Sequence, residues 1–220
     1  MLHEQSSTFL SDEGDNWFLR NMDTSHDALS QDICQIFQTL SNVKDDISSV
    51  LDVGCSSGMK TKQLANYFTA SGFGLDPSSL AIDKAKTLED VTLNFKVGIS
   101  SDLQYENDQF DLVYFSFCLY LIDRELIFKS IAEADRVLRP GGYLVITDFD
   151  SSLPSKTPYH HKSGLLTYRN DYAGIFLSSG HYTLVSKQSF SHTSNLFETN
   201  KRERVSTQIL FKETDAYPEF

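Results

Sequence analysis

The sequence predicts an α/β fold in which a mostly parallel sheet carries helices on both faces. Residues 50–53, Val-Leu-Asp-Val, form a short and largely apolar run of the kind found in strands that are covered on both sides. The run ends in a turn with glycines at 54 and 58, and residues 59–68 are compatible with a helix. Strand-like and helix-like segments then alternate as far as residue 147, which is typical of βαβ units.

The turn after this first strand is the predicted cofactor site, because ligands of open α/β sheets bind outside the carboxyl ends of the strands. Asp52, Gly54, Ser56 and Gly58 give the pattern acidic-x-Gly-x-small-x-Gly. A phosphate loop needs a different glycine spacing with Lys directly after the second glycine, and a dinucleotide fingerprint needs glycine at 56 and at 59. The alternatives are an ordinary strand-to-helix turn and a motif that resembles the first motif of the class I S-adenosylmethionine (SAM) dependent methyltransferases. In that family the middle position is usually glycine.

Two later segments resemble the same family. Residues 110–113, Phe-Asp-Leu-Val, begin the predicted fourth strand. Residues 138–144, Leu-Arg-Pro-Gly-Gly-Tyr-Leu, end an amphipathic helix predicted over 123–138 and lead into the fifth strand. The resemblance covers about residues 48–149 by motif. It implies SAM as the cofactor and a Rossmann-like, seven-stranded methyltransferase sheet, mostly parallel with the last strand antiparallel.

The remainder of the chain resembles the family only by element order. A helix is predicted over 168–178, and residues 181–190 and 203–212 are the predicted last two strands. The resemblance implies that the final strand is inserted antiparallel between the fifth and the sixth. Residues 48–220 are therefore the predicted methyltransferase core, with a substrate loop at about 148–168.

Asp76 ends the predicted second strand, eighteen positions after Gly58. A carboxylate at this place can accept both ribose hydroxyls of an adenosine. A cap for the helix that follows Pro77 is a second possible role, compatible with the first. The resemblance places the adenine just after the third strand, predicted over 91–97. The predicted SAM contacts are Arg20, Asp52, Gly54, Cys55, Ser56, Gly58, Asp76, Pro77, Ile99, Ser100 and Phe115.

Residues 1–47 are predicted to form an N-terminal helical cap over the cofactor. Apolar residues over 27–40 have helical spacing, and this helix is expected at the entrance to the sheet. Residues 17–21, Trp-Phe-Leu-Arg-Asn, resemble a pattern of bacterial enzymes that methylate sugars or related metabolites. The resemblance implies a bidentate pair between Arg20 and the SAM carboxylate. A surface Arg beside a core Trp is the alternative.

The polar stretch over 148–162 follows the fifth strand, where substrate loops of α/β folds lie. His160 or His161 is a candidate base for an acceptor hydroxyl, because imidazole titrates near neutrality; an exposed histidine is the alternative. Adjacent histidines without a spaced third ligand argue against a metal site. The predicted acceptor contacts are Tyr120, Asp148, Asp150 and Tyr159.

Composition restricts the substrate class. The chain has 19 basic and 30 acidic residues, a net charge of −11, and no long basic run, which argues against a nucleic-acid partner or an anionic membrane surface. Residues 115–118, Phe-Ser-Phe-Cys, also differ from the Pro-Pro motif typical of nucleobase methylation in this family. A small-molecule acceptor is therefore expected.

Three scattered cysteines, the absence of a signal-like start and the lack of a long apolar run favour a cytoplasmic protein. The predicted function is O- or N-methylation of a small molecule such as a sugar, a sugar nucleotide or another secondary metabolite. A SAM-binding scaffold without turnover is the alternative, and a nicotinamide oxidoreductase is disfavoured by the glycine pattern. The sequence leaves the oligomeric state open.

Overall fold

The computed structural model describes residues 4–22, 29–151 and 153–219. Its strands are β1 (Ser49–Val53), β2 (Ser71–Asp76), β3 (Leu93–Val97), β4 (Phe110–Ser116), β5 (Leu138–Phe149), β6 (Ser155–Pro158), β7 (Leu166–Arg169), β8 (Tyr182–Ser191) and β9 (Arg204–Lys212). Seven of them form one sheet in the order β3-β2-β1-β4-β5-β9-β8. Strands β1 to β5 pair in parallel, and β9 is antiparallel to both neighbours. The predicted sheet, with its final strand inserted antiparallel, is confirmed.

The α-helices are α1 (Glu4–Thr8), α2 (Gly14–Asn21), α3 (Gln31–Thr39), α4 (Met59–Phe68), α5 (Ser79–Lys86), α6 (Ile127–Val137) and α7 (Ala173–Leu177). A π-helical turn over Phe9–Glu13 joins α1 to α2, and two 3₁₀ segments cover Ser41–Asp46 and Leu119–Leu121. No helix in the described ranges is both long enough and apolar enough to span a bilayer.

Successive side chains of the central strands point to opposite faces of the sheet, and apolar side chains bury both faces. Leu51 and Val53 belong to one apolar cluster, together with Val137 of α6 and Phe176 of α7. Val50 belongs to the other, which contains residues of α3 and α4. This two-sided burial explains why the first strand reads as a nearly continuous apolar run.

The helix predicted over 27–40 packs differently from the expectation. Asp27 lies outside the described residues, and α3 buries Ile33 and Ile36 completely in the cluster that holds Val50 of β1 and Leu64 of α4. The helix therefore flanks the sheet. The residues that lie over the carboxyl edge of the sheet come instead from the segment 4–21.

The prediction of a helix over 168–178 is wrong for the first half of that range. Residues 166–169 form β7, which pairs antiparallel with β6 in a hairpin, and only Ala173–Leu177 is helical. The hairpin gives these residues long-range backbone partners, and the hydroxyls of Thr157 and Thr167 are bonded across it at 2.7 Å. Cross-strand pairing of this kind overrides local helical spacing.

The same hairpin replaces the irregular polar loop expected after the fifth strand, and it packs on the N-terminal helices. Tyr159 and Leu165 are buried in a cluster with Phe9. The Gln5 side chain bonds to the main chain of Leu166 twice, donating to its oxygen at 3.0 Å and accepting from its nitrogen at 3.2 Å. The segment 4–21 is thus fixed to the hairpin.

Candidate cofactor and acceptor site

A cavity of about 810 Å³, called here the main cavity, lies at the carboxyl ends of β1, β2 and β4. The register aligns these ends, since Val53 pairs with Leu75 on one side and Phe115 on the other. The volume of the cavity is its atom-free space and includes the part that is open to solvent. Its wall consists of Val53, Gly54, Leu75, Asp76, Pro77, Gly98, Ile99, Ser100, Ser101, Ser116, Phe117, Cys118, Leu121 and Ile122, with Ser6, Phe9, Gly14 and Trp17 from the N-terminal segment.

The loop after β1 has a left-handed backbone at three positions. The φ angles of Gly54, Ser56 and Gly58 are +85°, +49° and +77°. A Cβ on Gly58 would lie 2.6 Å from the Phe95 ring, so glycine is required there for space as well as for conformation. Ser56 occupies the position where the family usually has glycine, and its left-handed conformation costs about 1–2 kcal/mol.

Asp76 connects this loop to the end of β2. Its carboxylate accepts a hydrogen bond from the Ser56 amide at 2.9 Å and another from the Ser78 amide at 2.8 Å. Burial raises the pKa of Asp76 to about 6, against the effect of these two hydrogen bonds. Ser78, not Asp76, caps α5, because its hydroxyl accepts from the Ala81 amide. Asp76 lies in the cavity wall with acceptor positions to spare, since a carboxylate has about four.

Asp52 lies beneath the loop and outside the cavity wall. It is 1% exposed, and one carboxylate oxygen accepts from the Thr61 hydroxyl at 2.7 Å. The other oxygen is buried without a hydrogen-bond partner among the described residues. Burial raises the pKa of Asp52 to about 7. Cys55 is buried against Phe95 and also lies outside the wall.

The far end of the cavity is lined by the residues that follow β3. Ile99 and Ser100 both lie in the wall, where the sequence placed the adenine contacts. The Ser100 hydroxyl is bonded to that of Ser130 at 2.9 Å. This end therefore joins an apolar side chain to a small polar group, a combination suited to the face and edge of a purine.

Lys60 is a site neighbour that the sequence analysis missed. Its ammonium donates to Asp32 at 2.6 Å and to the hydroxyl of Ser116, a wall residue, at 2.9 Å. Burial favours the neutral acid at Asp32, but Lys60 and the surrounding hydrogen bonds hold the pKa of Asp32 below its usual value. The available signal was the position of Lys60 in the first turn of the helix that follows the glycine loop.

The wall after β4 is built by Ser116, Phe117 and Cys118, while the predicted contact Phe115 is 1% exposed in the apolar core. Phe117 has a left-handed φ of +49°, a conformation that bulky residues rarely adopt outside functional sites. Its ring centroid lies 5.5 Å from that of His192, in the connection between β8 and β9. His192 is exposed and stacks on Phe149 at 5.6 Å.

The predicted acceptor contacts are scattered around this edge, and none of them lies in the cavity wall. Tyr120 packs on Phe149, with ring centroids 5.2 Å apart, and its amide donates to Asp148 at 3.2 Å. Asp148 is buried, which raises its pKa to about 7. Asp150 is bonded to Lys187 at 2.9 Å, and this pair ties β5 to β8.

Tyr159 and Arg20 belong to a buried network behind the N-terminal segment. The Tyr159 hydroxyl donates to the buried Glu13 at 2.9 Å and accepts from Arg20 at 3.0 Å, while Arg20 forms an ion pair with Glu13. Arg20 is not in the cavity wall. His160 and His161 are exposed at the tip of the hairpin, also outside the wall.

The predicted SAM contacts thus divide into two groups. Those in the wall are Gly54, Asp76, Pro77, Ile99 and Ser100; those outside it are Arg20, Asp52, Cys55, Ser56, Gly58 and Phe115. Among the latter, Ser56 and Gly58 still shape the loop through their left-handed backbone. The glycine loop and the wall carboxylate of Asp76 fit a cofactor with hydroxyl donors.

Comparison with known proteins agrees with this geometry. A family model described as a methyltransferase domain matches residues 50–142. A demethylmenaquinone methyltransferase of Tropheryma whipplei (strain Twist) is 31% identical over 114 residues, 50% of this chain and 46% of the relative. A fatty-acid O-methyltransferase of Mycolicibacterium smegmatis is 36% identical over 101 residues, 45% of this chain and 36% of the relative. The chain therefore spans less than half the length of these two relatives.

A solved structure shares the fold over a greater length. It is the 1,6-didemethyltoxoflavin-N1-methyltransferase of Burkholderia thailandensis with bound 1,6-didemethyltoxoflavin and S-adenosylhomocysteine, which superposes with a TM-score of 0.71. The alignment covers 94% of this chain and 87% of that one at 18% identity, so the likeness is one of fold. Residues 50–142, with the glycine loop and the strands that follow it, thus match a methyltransferase domain, and the chain is similar in fold to SAM-dependent methyltransferases.

Proposed function

We propose that the chain transfers the methyl group of SAM to an oxygen or nitrogen of a small-molecule acceptor. The observation that carries the proposal is the position of Asp76, a wall carboxylate hydrogen-bonded to the Ser56 amide of the glycine loop. The names of the relatives, which include methyltransferases for demethylmenaquinone and for fatty acids, support a small-molecule acceptor. The net charge of −11 argues against a nucleic-acid acceptor.

Each part of the wall has a role in holding the cofactor. Asp76 would accept the ribose hydroxyls, Ile99 and Ser100 would contact the adenine, and the main chain of Gly54 would contact the amino-acid arm. When bound, SAM supplies an electrophilic methyl group on a positively charged sulfur. Phe117 bounds the same cavity, and an aromatic face attracts positive charge without offering a nucleophile.

The N-terminal segment acts as the cap of the site. Phe9 and Trp17 lie in the cavity wall, and Asp15 fixes α2 to α5 by accepting from the Ser78 hydroxyl at 2.6 Å. A cap that excludes water and holds the acceptor in line with the methyl group contributes to the rate mainly through orientation, worth about 7–11 kcal/mol in favourable cases. In this proposal Arg20 has two roles. It holds the N-terminal segment in place through Glu13 and Tyr159, and it makes the predicted contact with the SAM carboxylate.

The acceptor enters between the hairpin and the β8–β9 connection, near Tyr120, Asp148 and Phe149. A hydroxylated or amino metabolite, such as a sugar, a sugar nucleotide or another secondary metabolite, stays the predicted class. A hydroxyl acceptor needs a base, and His160 or His161 stays the predicted one. Because both lie at the exposed hairpin tip, this role requires the hairpin to close over the acceptor.

Calorimetry with SAM, followed by measurement of S-adenosylhomocysteine release with a panel of acceptors, tests the proposal. SAM binding in the micromolar range and acceptor-dependent release are expected. SAM binding with no release across carboxylate, hydroxyl and amine acceptors would favour the alternative, a SAM-binding scaffold. NADH that competes with SAM would favour an oxidoreductase instead. A cytoplasmic location, predicted from the three unpaired thiols, is tested by fractionation.

A further inference from the structure

A second concavity lies beside the acceptor end of the site. This basic groove has an empty volume of about 640 Å³ and lies between the hairpin and the segment that follows the Leu119–Leu121 turn. Its lining includes three cations, Arg124, Lys156 and Arg169, together with Tyr168. In a chain with a net charge of −11, three basic side chains around one groove are a local reversal of charge.

The groove cations have no ion-pair partner in the described part of the chain. No carboxylate among the described residues forms an ion pair with any of the three. Arg124 interacts electrostatically with the buried Asp148 without forming an ion pair. Two acids close in sequence, Asp123 and Asp171, have other partners. Asp123 accepts from the amide and the hydroxyl of Ser6 at 2.8 and 2.6 Å, and Asp171 accepts from Gln208 at 2.9 Å.

Arg124 is held in place before any ligand arrives. One terminal nitrogen donates to the carbonyl oxygens of Leu119 and Ile122, each at 2.7 Å, and the other donates to the Tyr172 hydroxyl at 3.0 Å. Its guanidinium lies over the Tyr168 ring at 4.3 Å. The charge therefore occupies a fixed position, so binding an anion costs little side-chain entropy.

Arg169 has an unused donor at the groove. Its guanidinium carbon lies 4.2 Å above the Phe149 ring, and its Nε is buried without a hydrogen-bond partner in the described part of the chain. Guanidinium matches the planar shape of carboxylate and phosphate groups, so Arg169 in the groove lining is suited to pair with either.

The groove and the main cavity share neighbours. Phe149, under Arg169, lies 6.2 Å from Phe117 of the cavity wall, and Ile122, which accepts from Arg124, is itself a wall residue. We propose that the basic groove binds a carboxylate or phosphate group of the acceptor while the atom to be methylated enters the main cavity. This inference rests on the proposed function and narrows its acceptor to an anionic metabolite.

The test uses an NMR titration of the ¹⁵N-labelled chain with two simple anions, inorganic phosphate and acetate, at constant ionic strength. We expect saturable shifts confined to residues near 154–156 and 168–170 with at least one of them. The arm that saturates at lower concentration identifies phosphate or carboxylate as the preferred group. Absence of saturation in both arms would overturn the inference.

The matched variants are Lys156→Gln with Arg169→Gln, against Lys84→Gln with Lys86→Gln on α5. The groove pair should weaken anion binding at least tenfold, whereas the α5 pair should leave it unchanged. If the double variant folds poorly, Lys156→Gln alone, at an exposed side chain, should also weaken anion binding. SAM affinity, measured by calorimetry, should be equal in all variants. If the wild type binds SAM but neither anion, only the groove inference is rejected. If the wild type binds neither SAM nor an anion, the proposed function is rejected as well.

Discussion

The carboxylate of Asp76 and the main-chain amide of Ser56 are joined by a hydrogen bond of 2.9 Å. The bond connects two motifs that are twenty positions apart and lie on adjacent strands of the sheet. The Ser56 backbone is left-handed at this point, and the bond leaves Asp76 with unused acceptor capacity in the cavity wall. The loop and the carboxylate therefore form one structural unit, so a change in either affects cofactor binding through both.

Replacing Asp76 should weaken SAM binding strongly. Hydrogen bonds to a charged acceptor contribute about 1.5–3 kcal/mol, so we expect Asp76→Asn to raise the dissociation constant by roughly 10- to 100-fold. Asp76→Ala should be worse, because it removes the acceptors of both the Ser56 and Ser78 amides, whereas Asn keeps one oxygen. Asp83→Asn, at an exposed position on α5, is the matched control. Calorimetry with SAM measures all three, and unchanged affinity in Asp76→Asn would contradict the ribose assignment.

Asp52 should make the stability of the chain pH-dependent. Burial raises the pKa of Asp52 from its usual 3.8 to about 7, so the folded chain holds this proton more tightly than the unfolded chain. The stabilising contribution of this group is therefore complete below about pH 4 and is lost as the pH rises through about 7. Over this pH range the free energy of unfolding falls by about 1.4 kcal/mol for each unit by which the folded-state pKa exceeds the unfolded-state pKa.

Asp52→Asn removes this titration while an amide oxygen can still accept from Thr61. We expect the variant to equal or fall below the wild type in melting temperature at pH 5 and to gain on it steadily towards pH 8. Asp83→Asn should show no such trend, because Asp83 is exposed. A difference between Asp52→Asn and the wild type that stays constant from pH 5 to pH 8 would refute the raised pKa.

Ser56→Gly should stabilise the loop or leave its stability unchanged. The substitution relieves a left-handed conformation worth about 1–2 kcal/mol and adds the backbone entropy cost of glycine, about 0.5–1 kcal/mol. Ser57→Gly has only the second effect, since Ser57 is not left-handed, and should destabilise. Thermal unfolding with and without SAM compares the two. A lower melting temperature for Ser56→Gly than for Ser57→Gly would contradict the conformational argument.

The strands and the wall carboxylate were predictable because their signals are local. An apolar run that ends in a glycine turn, and an acid at the end of the next strand, place Gly54 and Asp76 without any knowledge of distant contacts. The resemblance to the methyltransferase family, and not strand order alone, indicated Ile99 and Ser100. Of the eleven predicted SAM contacts, Gly54, Asp76, Pro77, Ile99 and Ser100 lie in the cavity wall, and the other six lie outside it.

The acceptor side was not predictable in the same way, because it depends on pairing between distant segments. Periodicity over 168–178 indicates a helix, but the residues that pair with 166–169 to make them a strand lie 8 to 14 positions upstream in β6. Arg169 and His192 reach Phe149 only through that hairpin and through the β8–β9 connection. No local pattern marks such contacts, so Arg169 and His192 were both missed.

The predicted base can be separated from the nearby imidazole by kinetics. If His160 or His161 takes the proton of a hydroxyl acceptor, the double variant His160→Gln with His161→Gln should lower kcat by roughly 10²–10⁴-fold with little change in KM. His192→Gln should instead raise KM by about 2- to 10-fold, because it loses ring packing on Phe117 and Phe149. The reverse pattern, with kcat lost only in His192→Gln, would move the base to position 192.

Variants in the network of Arg20, Glu13 and Tyr159 can show whether Arg20 only stabilises the fold or also binds SAM. The Glu13 side chain is 1% exposed and the Arg20 side chain 33% exposed. Arg20→Ala leaves a buried carboxylate with only the Tyr159 hydroxyl, which should cost about 1–3 kcal/mol of stability once the partial exposure of Arg20 is allowed for. Lys162→Ala, which breaks an exposed pair with Asp12, should cost much less stability than Arg20→Ala.

Adding Glu13→Gln to Arg20→Ala should restore most of the lost stability, because the buried charge is then removed together with its partner. If Arg20 acts only by holding the N-terminal segment, SAM affinity should recover in step with stability. If Arg20 also pairs with the SAM carboxylate, the double variant should melt near the wild-type temperature and still bind SAM roughly tenfold or more weakly. We expect the second outcome, and calorimetry beside thermal unfolding on the same three samples decides between them.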